Sequence, residues 1–344
     1  MEDTREKKKI KAETGFIVAV LLIIVAVIEG TTYRKIIPAN QPKVVVILPG
    51  DINDQSWNKG NYEGILANQN KDKKIDLEYL CSDNQNKDKK IDLEYQSNVE
   101  EKDFEAVIRR YAEDNYNLII LAGSQFEEVV SSVSGDYPKV DFCILNGRSA
   151  SGKNTFSVYP KEEEASHLAG IIGGNLTKTG AFGIIAGYPN EAMETLLDQY
   201  EKDVRQLAVD RKLPNATVLR AYANSWEDEE LGKEIANQMI GKGADVLFIY
   251  ANKVGNGCIE AAKEKGVKVI GFSENQNELA PGTVAASIKF DFGKIYSWIL
   301  DHYMDGKLNG NEVYGVGIEE EIFIPIFTDE VPKEVQQTVE NSMK

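Results

Sequence analysis

The stretch that decides the fold is GADVLFIYANKVGNGCIEAAKEKGVKVIGFSENQ, residues Gly243–Gln276. Its apolar run Asp245–Tyr250 predicts a buried strand, Gly257–Lys265 has helical spacing, and Val267–Phe272 predicts a second buried strand. Strands that are apolar on both faces and separated by a helix are typical of a parallel sheet covered on both sides. The stretch therefore predicts an α/β fold.

The same alternation extends along the rest of the chain, and a polar break near Ser149–Lys153 separates two strand–helix blocks. Further predicted strands are Lys43–Gly50, Asn117–Gly123, Asp141–Gly147, Ala181–Gly187 and Thr217–Tyr222. Further predicted helices are Lys59–Ala67, Val99–Asn115, Phe126–Val133, Glu162–Leu176, Asn190–Ala208 and Trp226–Lys242. The pattern predicts two doubly wound parallel-sheet lobes.

Composition narrows the classes of function. The chain has 344 residues, of which 42% are hydrophobic and 27% are charged, as in globular proteins. Lys and Arg total 39 against 55 Asp and Glu, so the net charge is −16. A chain this acidic repels a phosphate backbone, which argues against nucleic acid as a partner. Two histidines and three cysteines without a CxxC pair support neither a zinc site nor a disulfide framework.

The N-terminus combines a basic flank with the uncharged apolar run Phe16–Ile28, a pattern typical of an export signal. The run is short for a membrane span, which needs about 20 residues. Neither a clear small-residue cleavage site nor a lipid-attachment cysteine follows it. We expect a retained membrane anchor, with a cleaved signal and secretion, or a buried core helix, as alternatives. The basic flank then stays in the cytoplasm and the binding domain is extracytoplasmic.

The segment Asn68–Tyr79 (NQNKDKKIDLEY) recurs unchanged at Asn84–Tyr95. Two copies are too few for a solenoid, so we interpret them as a tandem duplication. A calcium loop is disfavoured because Lys73 stands where glycine is needed and Tyr79 where glutamate is needed. We expect one copy to supply a helix tail and a strand, and the other to be displaced or added at an edge.

Signatures of catalysis are missing from the sequence. It contains no GxSxG, GxxxxGK[ST], HExxH or strand-coupled GxGxxG pattern. The two histidines, His167 and His302, lie in helical patterns and are interpreted as packing or surface residues. We therefore predict no enzyme, no cofactor and no metal site.

A small-molecule site is predicted where the strands end, because ligands of parallel sheets bind at the carboxyl ends of the strands. The loop Asp51–Asn58 (DINDQSWN) follows the first strand and places Trp57 there, as a core residue or as a stacking platform for a ligand ring. Its polar residues are also suited to capping a helix. The candidates at strand ends are Asn53, Asp54, Ser56, Trp57, Asn58, Ser124, Gln125, Asn146, Tyr188, Asn252, Lys253, Ser273 and Glu274.

Four stretches resemble the basic membrane protein family, also called PnrA-like, of ABC-transporter substrate-binding proteins. They are GDINDQSWNKGNYEG (Gly50–Gly64), EEASHLAGIIGGNLTKTGAFGIIAG (Glu163–Gly187), the fold-deciding stretch Gly243–Gln276, and APGTVAASIKFDFGK (Ala280–Lys294). The resemblance implies a type I periplasmic-binding-protein fold, with two lobes, three hinge crossovers and a ligand between them. We expect an anchor or signal at 1–33, a linker at 34–42, an N-terminal lobe of 43–150 and 273–305, and a C-terminal lobe of 151–272 and 306–344.

The resemblance also bears on the ligand, because known members of the family bind nucleosides. Trp57 takes the place of a ring-stacking phenylalanine, with Asn53, Asp54 and Asn58 beside it. The resemblance adds Phe290 as a candidate, since it aligns with a family lysine unless the register slips onto Lys289.

Other family positions differ. Leu48 and Ser273 stand where the family has carboxylates, and Leu196 stands where it has a phenylalanine. Each charge-assisted hydrogen bond is worth about 1.5–3 kcal/mol, so tight nucleoside binding is not expected. A neutral, more apolar pocket is predicted, for a nucleoside-like or other ring-bearing solute.

Two functions follow from the resemblance. The first is an extracytoplasmic solute-binding protein that delivers its small-molecule ligand to an ABC permease. The alternative is a membrane-anchored ligand sensor or regulator that has kept the binding fold without transport.

Overall fold

The computed structural model describes residues 42–54, 56–69, 91–213 and 216–344. The predicted anchor or signal segment and most of the first repeat copy lie outside these residues. Within the described ranges, no helix is both long enough and apolar enough to cross a membrane.

Strands and helices alternate along the described chain. The strands are β1 (Lys43–Ile47), β2 (Asp92–Gln96), β3 (Leu118–Ala122), β4 (Asp141–Leu145), β5 (Thr155–Pro160), β6 (Ala181–Ala186), β7 (Thr217–Tyr222), β8 (Val246–Tyr250), β9 (Lys268–Ser273), β10 (Val284–Phe290), β11 (Val313–Val316) and β12 (Phe323–Phe327). The helices are α1 (Trp57–Gln69), α2 (Phe104–Glu113), α3 (Glu127–Val133), α4 (Glu162–Leu176), α5 (Glu191–Asp210), α6 (Glu229–Gly241), α7 (Val254–Lys265), α8 (Phe292–Met304) and α9 (Lys333–Ser342).

Two six-stranded sheets form the two lobes. The first has the order β11–β5–β4–β3–β1–β2, and the second has the order β12–β10–β9–β8–β6–β7. All neighbouring strands are parallel except β12, which runs antiparallel to β10. Most of the central strands are fully buried, because helices cover both faces of each sheet. The prediction of two doubly wound parallel-sheet lobes is confirmed.

The chain passes between the lobes three times, as the family resemblance implies. The crossings lie between β5 and α4, between β10 and α8, and between β11 and β12. Helix α8 returns to the first lobe, where it packs against α1. Helix α4 packs in the second lobe against α5 and α9.

The strands divide between the sheets differently from the predicted lobe boundaries. Strands β5 and β11, expected in the C-terminal lobe, lie in the first sheet, and β10, expected in the N-terminal lobe, lies in the second. The polar break near Ser149–Lys153 resembles a linker, but it joins the neighbouring parallel strands β4 and β5. Because parallel neighbours are normally joined through a helix, strand–helix alternation gives no sign of this connection.

The described part of the repeat draws on both copies. Strand β2 comes from the second copy and pairs with β1 at the edge of the first sheet, with Lys43 opposite Asp92. Helix α1 ends at Gln69, which belongs to the first copy. The Nε2 atom of Gln69 donates a hydrogen bond to the Leu93 carbonyl at 2.7 Å. The helix tail of one copy therefore lies directly against the strand of the other.

Candidate ligand-binding site

A cleft of about 350 Å³ lies at the carboxyl ends of the strands and is walled by both lobes. Its lining consists of Pro49, Gly50, Trp57, Asn58, Gly123, Ser124, Gln125, Asn146, Glu162, Tyr188, Asn190, Ala192, Met193, Ser225, Trp226, Glu227, Tyr250 and Asn252. The volume is in the range of small-molecule pockets. Of the fourteen predicted site residues, seven belong to this lining.

The polar loop after β1 builds the start of helix α1. The buried Asp54 carboxylate accepts hydrogen bonds from the backbone N–H groups of Ser56, Asn58 and Lys59 at 2.9–3.0 Å. Asn58 Oδ1 in turn accepts from the Gly50 N–H at 3.1 Å. These residues satisfy donors at the helix start that would otherwise lack partners, as the capping interpretation predicts. Of the loop's predicted polar residues, only Asn58 lines the cleft.

Trp57 lines the cleft while remaining 91% buried, since its exposed fraction is 9%. Its indole Nε1 donates a hydrogen bond to the Ala122 carbonyl at 3.0 Å. Its ring meets that of Phe292 edge-on, with centroids 5.1 Å apart. The side chain therefore ties α1 to β3 and α8, and it presents a fixed surface to the cleft.

The opposite wall carries Tyr188 and Trp226, whose ring centroids lie 5.7 Å apart. The Trp226 ring rests against the backbone of Gly187, where an added Cβ would meet ring atoms at 2.2 Å. Only glycine leaves room for the indole at this position. The end of β6 and the loop after β7 together place this aromatic pair in the cleft.

The chain turns sharply where several strands reach the cleft. Asn146, Asn224, Asn252 and Ser273 follow or end strands and all have positive φ, between 44° and 74°. Asparagine tolerates this left-handed conformation better than other side-chain-bearing residues do, whereas it is strained for serine. Such strain clusters at functional sites, and these turns bring Asn146 and Asn252 into the cleft lining.

Glu162 is the most unusual residue of the lining. It begins α4, is only 2% exposed, and accepts a hydrogen bond from the Tyr250 hydroxyl at 2.9 Å. Burial raises the pKa of its carboxyl to about 7, although the Tyr250 hydrogen bond and the charge of Arg148 act in the opposite direction. Near neutral pH the cleft therefore holds a carboxyl group that can gain or lose a proton.

The cleft lining contains ionisable carboxyl groups, which the expectation of a neutral pocket does not include. Two carboxylates, Glu162 and Glu227, belong to the described lining, which contains no lysine, arginine or histidine. Glu227 forms an ion pair with Lys253, at 2.6 Å, beside the cleft. Glu162 has no comparable ion pair within the described ranges.

The other predicted site residues lie outside this lining. They are Asn53, Asp54, Ser56, Lys253, Ser273, Glu274 and Phe290. Asn53 is exposed and donates to Asp51, and Ser273 is fully buried. Asn53 lies in the loop before α1, and Ser273 ends β9.

Two of these placements correct the prediction for a physical reason. Glu274 is buried and forms an ion pair with Lys289 at 3.3 Å, so its charge already has a partner. Phe290 is fully buried, with its ring centroid 5.1 Å from those of both Phe272 and Phe323. Its apolar side chain joins the aromatic core of the second lobe.

Several lining residues escape prediction from the sequence. Glu162 lies in a run of three glutamates, which is typical of a solvated first helical turn. The sequence pattern predicts that a helix begins at Trp226, but α6 begins only at Glu229, after the cap residue Asp228. An aromatic residue just before a helix cap, at a strand's carboxyl end, is the signal that could have identified Trp226.

Comparisons with known proteins agree with this architecture. The sequence model of the family described as "ABC transporter substrate-binding protein PnrA-like" matches residues 41–343. Basic membrane protein A2 of Borrelia garinii is 26% identical over 87% of this chain and 84% of its own length. The transcriptional activator protein med of Bacillus subtilis is 26% identical over 88% of this chain and 87% of its own length.

Solved structures show the same fold. A solute-binding protein of an ABC transporter system from Aeropyrum pernix superposes with a TM-score of 0.69 at 20% identity, covering 88% of this chain and 85% of that one. A transcriptional activator of the comK gene from Bacillus halodurans gives 0.67 at 20% identity, covering 88% and 96%. Since the family match covers nearly all of the described residues, the chain belongs to the Bmp family of PnrA-like ABC transporter substrate-binding proteins.

Proposed function

We propose that this protein captures a small ring-bearing solute outside the cytoplasm and delivers it to an ABC importer. The observation that carries the proposal is the cleft of about 350 Å³, which is walled by aromatic and polar side chains of both lobes. A ligand held by both walls stabilises the arrangement in which the lobes lie together, because it contacts each of them. A permease can distinguish the ligand-bound arrangement of the lobes from that of the empty protein.

The direct test is to identify what the protein carries. Full-length protein is purified under native conditions, denatured, and the released small molecules are identified by mass spectrometry. We expect one dominant ring-bearing compound that rebinds the emptied protein. Release of no small molecule, together with failure of cell extract to raise the melting temperature of the emptied protein, would contradict the proposal.

Trp57 is proposed to contact the ring of that compound. It is fixed by Ala122 and Phe292 and lines the cleft, so it offers a preorganised surface. Trp57→Ala should weaken the released compound's rebinding by roughly 1–3 kcal/mol, the range for an aromatic stacking partner. An unchanged affinity would assign Trp57 to the core alone.

Purine nucleosides are proposed to be weak ligands. Ser273 and Phe290 stand at positions where the family resemblance expects ligand contacts, and both are fully buried outside the cleft lining. Calorimetric titration with adenosine, guanosine and inosine should give dissociation constants weaker than micromolar. Sub-micromolar binding of any of them would refute this part of the proposal.

The membrane location is proposed from the N-terminal basic flank and the apolar run Phe16–Ile28. Fractionation of cells that express a C-terminally tagged protein should place the full-length chain in the membrane fraction. A shortened form in the medium would identify a cleaved signal instead.

A sensor that regulates gene expression is the second candidate. The observation that favours it is the similarity to proteins named as transcriptional activators. Deletion of the gene separates the two candidates: loss of solute uptake supports delivery to an importer, whereas altered transcription with normal uptake supports the sensor.

A further inference from the structure

One buried hydrogen-bond acceptor in the cleft lacks a partner, and a second acceptor group, the Glu162 carboxyl, has a single donor. Asn146 Oδ1 is buried and has no hydrogen-bond partner in the described part of the chain. The Glu162 carboxyl, 2% exposed, receives only the Tyr250 hydrogen bond within the described ranges. Buried acceptors without donors destabilise the empty site, so a ligand that donates hydrogen bonds here gains free energy.

The charges around the cleft favour a positive ligand. The described lining contains carboxylates and no cationic side chain. Glu227 is already neutralised by Lys253. The guanidinium of Arg148 lies over the Tyr159 ring, 3.8 Å from its centroid, and outside the lining. Glu162 is therefore the carboxylate whose charge remains available to a ligand.

The aromatic side chains of the cleft suit the same kind of ligand. Tyr188 and Trp226 form one wall, and Trp57 belongs to the opposite wall. Aromatic faces attract organic cations, and the attraction grows when water is excluded. Rings on both walls together with an unpaired carboxylate favour a cation that also has an apolar body.

Building on the function proposed above, we infer that the cleft selects a ring-bearing organic cation whose protonated nitrogen donates hydrogen bonds to Glu162 and Asn146. The aromatic side chains of the two walls enclose the apolar part of the ligand. A carboxylate or phosphate at the same place is rejected, because it meets the Glu162 charge and finds no cation in the lining.

Binding is consequently pH-dependent. The groups that act on Glu162 are the Tyr250 hydroxyl from β8, the Arg148 guanidinium that follows β4, and the neighbouring Glu163 on α4. Their combined effect with burial is a carboxyl pKa of about 7. Affinity for a cation therefore rises as the pH increases from 6 to 8, because the carboxyl becomes ionised over that range.

Matched aromatic probes test the inference on the full-length protein. One set is tryptamine, tryptophol and indole-3-acetate, and the other is benzylamine, benzyl alcohol and benzoate. At pH 8 we expect at least one amine to bind at least tenfold more tightly than its alcohol, and neither carboxylate to bind measurably. Equal affinity across both sets, tightest binding of a carboxylate, or no binding by either amine would overturn the inference.

Two variants test whether Glu162 causes the preference for amines. Glu162→Gln should weaken amine binding at least tenfold and abolish its rise between pH 6 and 8. At pH 8, where the Glu162 carboxyl is ionised and the effect of Glu163 on its pKa has little weight, Glu163→Gln should leave affinity within about twofold. Glu163 is the next residue of the same helix and lies outside the lining. Melting curves establish that both variants are folded. An unchanged preference in folded Glu162→Gln would contradict the role of this carboxylate.

The outcome is distinguishable from failure of the proposed function. If denaturation releases an anion, identified by mass spectrometry, and the amines do not bind, solute binding stands and the cation inference fails. If neither a released compound nor any probe binds, both fail.

Discussion

Two buried carboxyls, Glu162 and Glu274, lie where the lobes meet, and their surroundings are opposite. Glu162 lines the cleft and receives a hydrogen bond from neutral Tyr250. Glu274 lies outside the lining and forms an ion pair with Lys289, which also approaches Glu63 of α1 at 3.3 Å. Burial raises the pKa of both carboxyls, but the Lys289 charge opposes the rise directly at Glu274.

A buried carboxylate is available to a ligand when no cation of the protein forms an ion pair with it. Glu274 has its counter-charge within the protein, so its ion pair with Lys289, together with Glu63, links the second lobe to the first. Within the described ranges Glu162 has no ion-pair partner, and the Arg148 charge acts on it only from beyond ion-pair distance. Its charge is therefore destabilising until a ligand supplies a positive group in contact with it. The same type of side chain therefore takes part in a link between the lobes at one place and offers its charge to a ligand at the other.

Removing the counter-charge of Glu274 should have the largest effect on stability. Lys289→Met leaves the buried carboxyl without a cation and breaks the link to Glu63. The expected loss is about 3 kcal/mol, the low end for a broken buried pair because Lys289 is partly exposed. Thermal unfolding at pH 7 should show a melting temperature lowered by about 6 °C.

Lys294→Met is the matched control for that prediction. Lys294 pairs with Glu321 at 2.8 Å, but both side chains are largely exposed, so the substitution should leave the melting temperature nearly unchanged. Equal effects of the two substitutions would show that the Glu274 pair has no special structural role.

Removing the charge of Glu162 should stabilise the folded protein, whereas Lys289→Met should destabilise it. The pKa of glutamate is about 4.3 when unfolded, and burial raises that of Glu162 to about 7 in the folded state. Because the folded state holds the proton more tightly, the favourable contribution is present below pH 4 and is lost as the pH rises through 7.

Glu162→Gln should therefore raise the melting temperature of the empty protein at pH 8 by about 4 °C, on the order of 2 kcal/mol, and change it little at pH 5. Glu274→Gln should raise it by a smaller amount at pH 8, because the Lys289 charge limits the rise of the Glu274 pKa. Destabilisation by Glu162→Gln at pH 8 would show that this carboxylate is compensated after all.

The smallest expected effect comes from the hydroxyl that contacts Glu162. The Tyr250 hydrogen bond lowers the pKa of the carboxyl. Tyr250→Phe should therefore move the pH midpoint of tryptamine binding upward by about one unit, since the ionised carboxyl loses a donor. Calorimetric titration between pH 6 and 9 measures this midpoint.

Tyr222→Phe provides the control, because the Tyr222 hydroxyl donates to Glu194 at 2.6 Å and lies outside the cleft lining. Its midpoint should match that of the unchanged protein. If the midpoint of Tyr250→Phe is unchanged or lower, the Tyr250 hydroxyl does not lower the pKa of Glu162 as expected.

Much of the fold could be predicted because apolar runs such as Lys43–Gly50 and helical spacing such as Glu162–Leu176 are local signals. The lobe boundaries could not, since β5 joins the first sheet through a connection that lacks a helix. Strand β12 likewise pairs antiparallel with β10 after the chain has crossed between the lobes. These pairings join segments that are distant in the sequence.

The sequence indicates where the site lies better than it indicates which charges the site contains. Strand ends correctly indicated Trp57 and Asn146 as lining residues. They also indicated Glu274, whose ion pair with Lys289 no local pattern reveals. Glu162 stands beside two other glutamates, and only the packing of α4 against the cleft distinguishes it from them. Charge pairing and burial depend on the tertiary structure.

The most direct test is a ¹³C NMR titration of the Glu162 carboxyl in the full-length protein, with its signal assigned by its disappearance in Glu162→Gln. We expect a midpoint near pH 7 in the free protein and a clearly lower midpoint with saturating tryptamine, because the bound cation stabilises the carboxylate. A midpoint near the ordinary value of about 4.3, or one that tryptamine leaves unmoved, would contradict it.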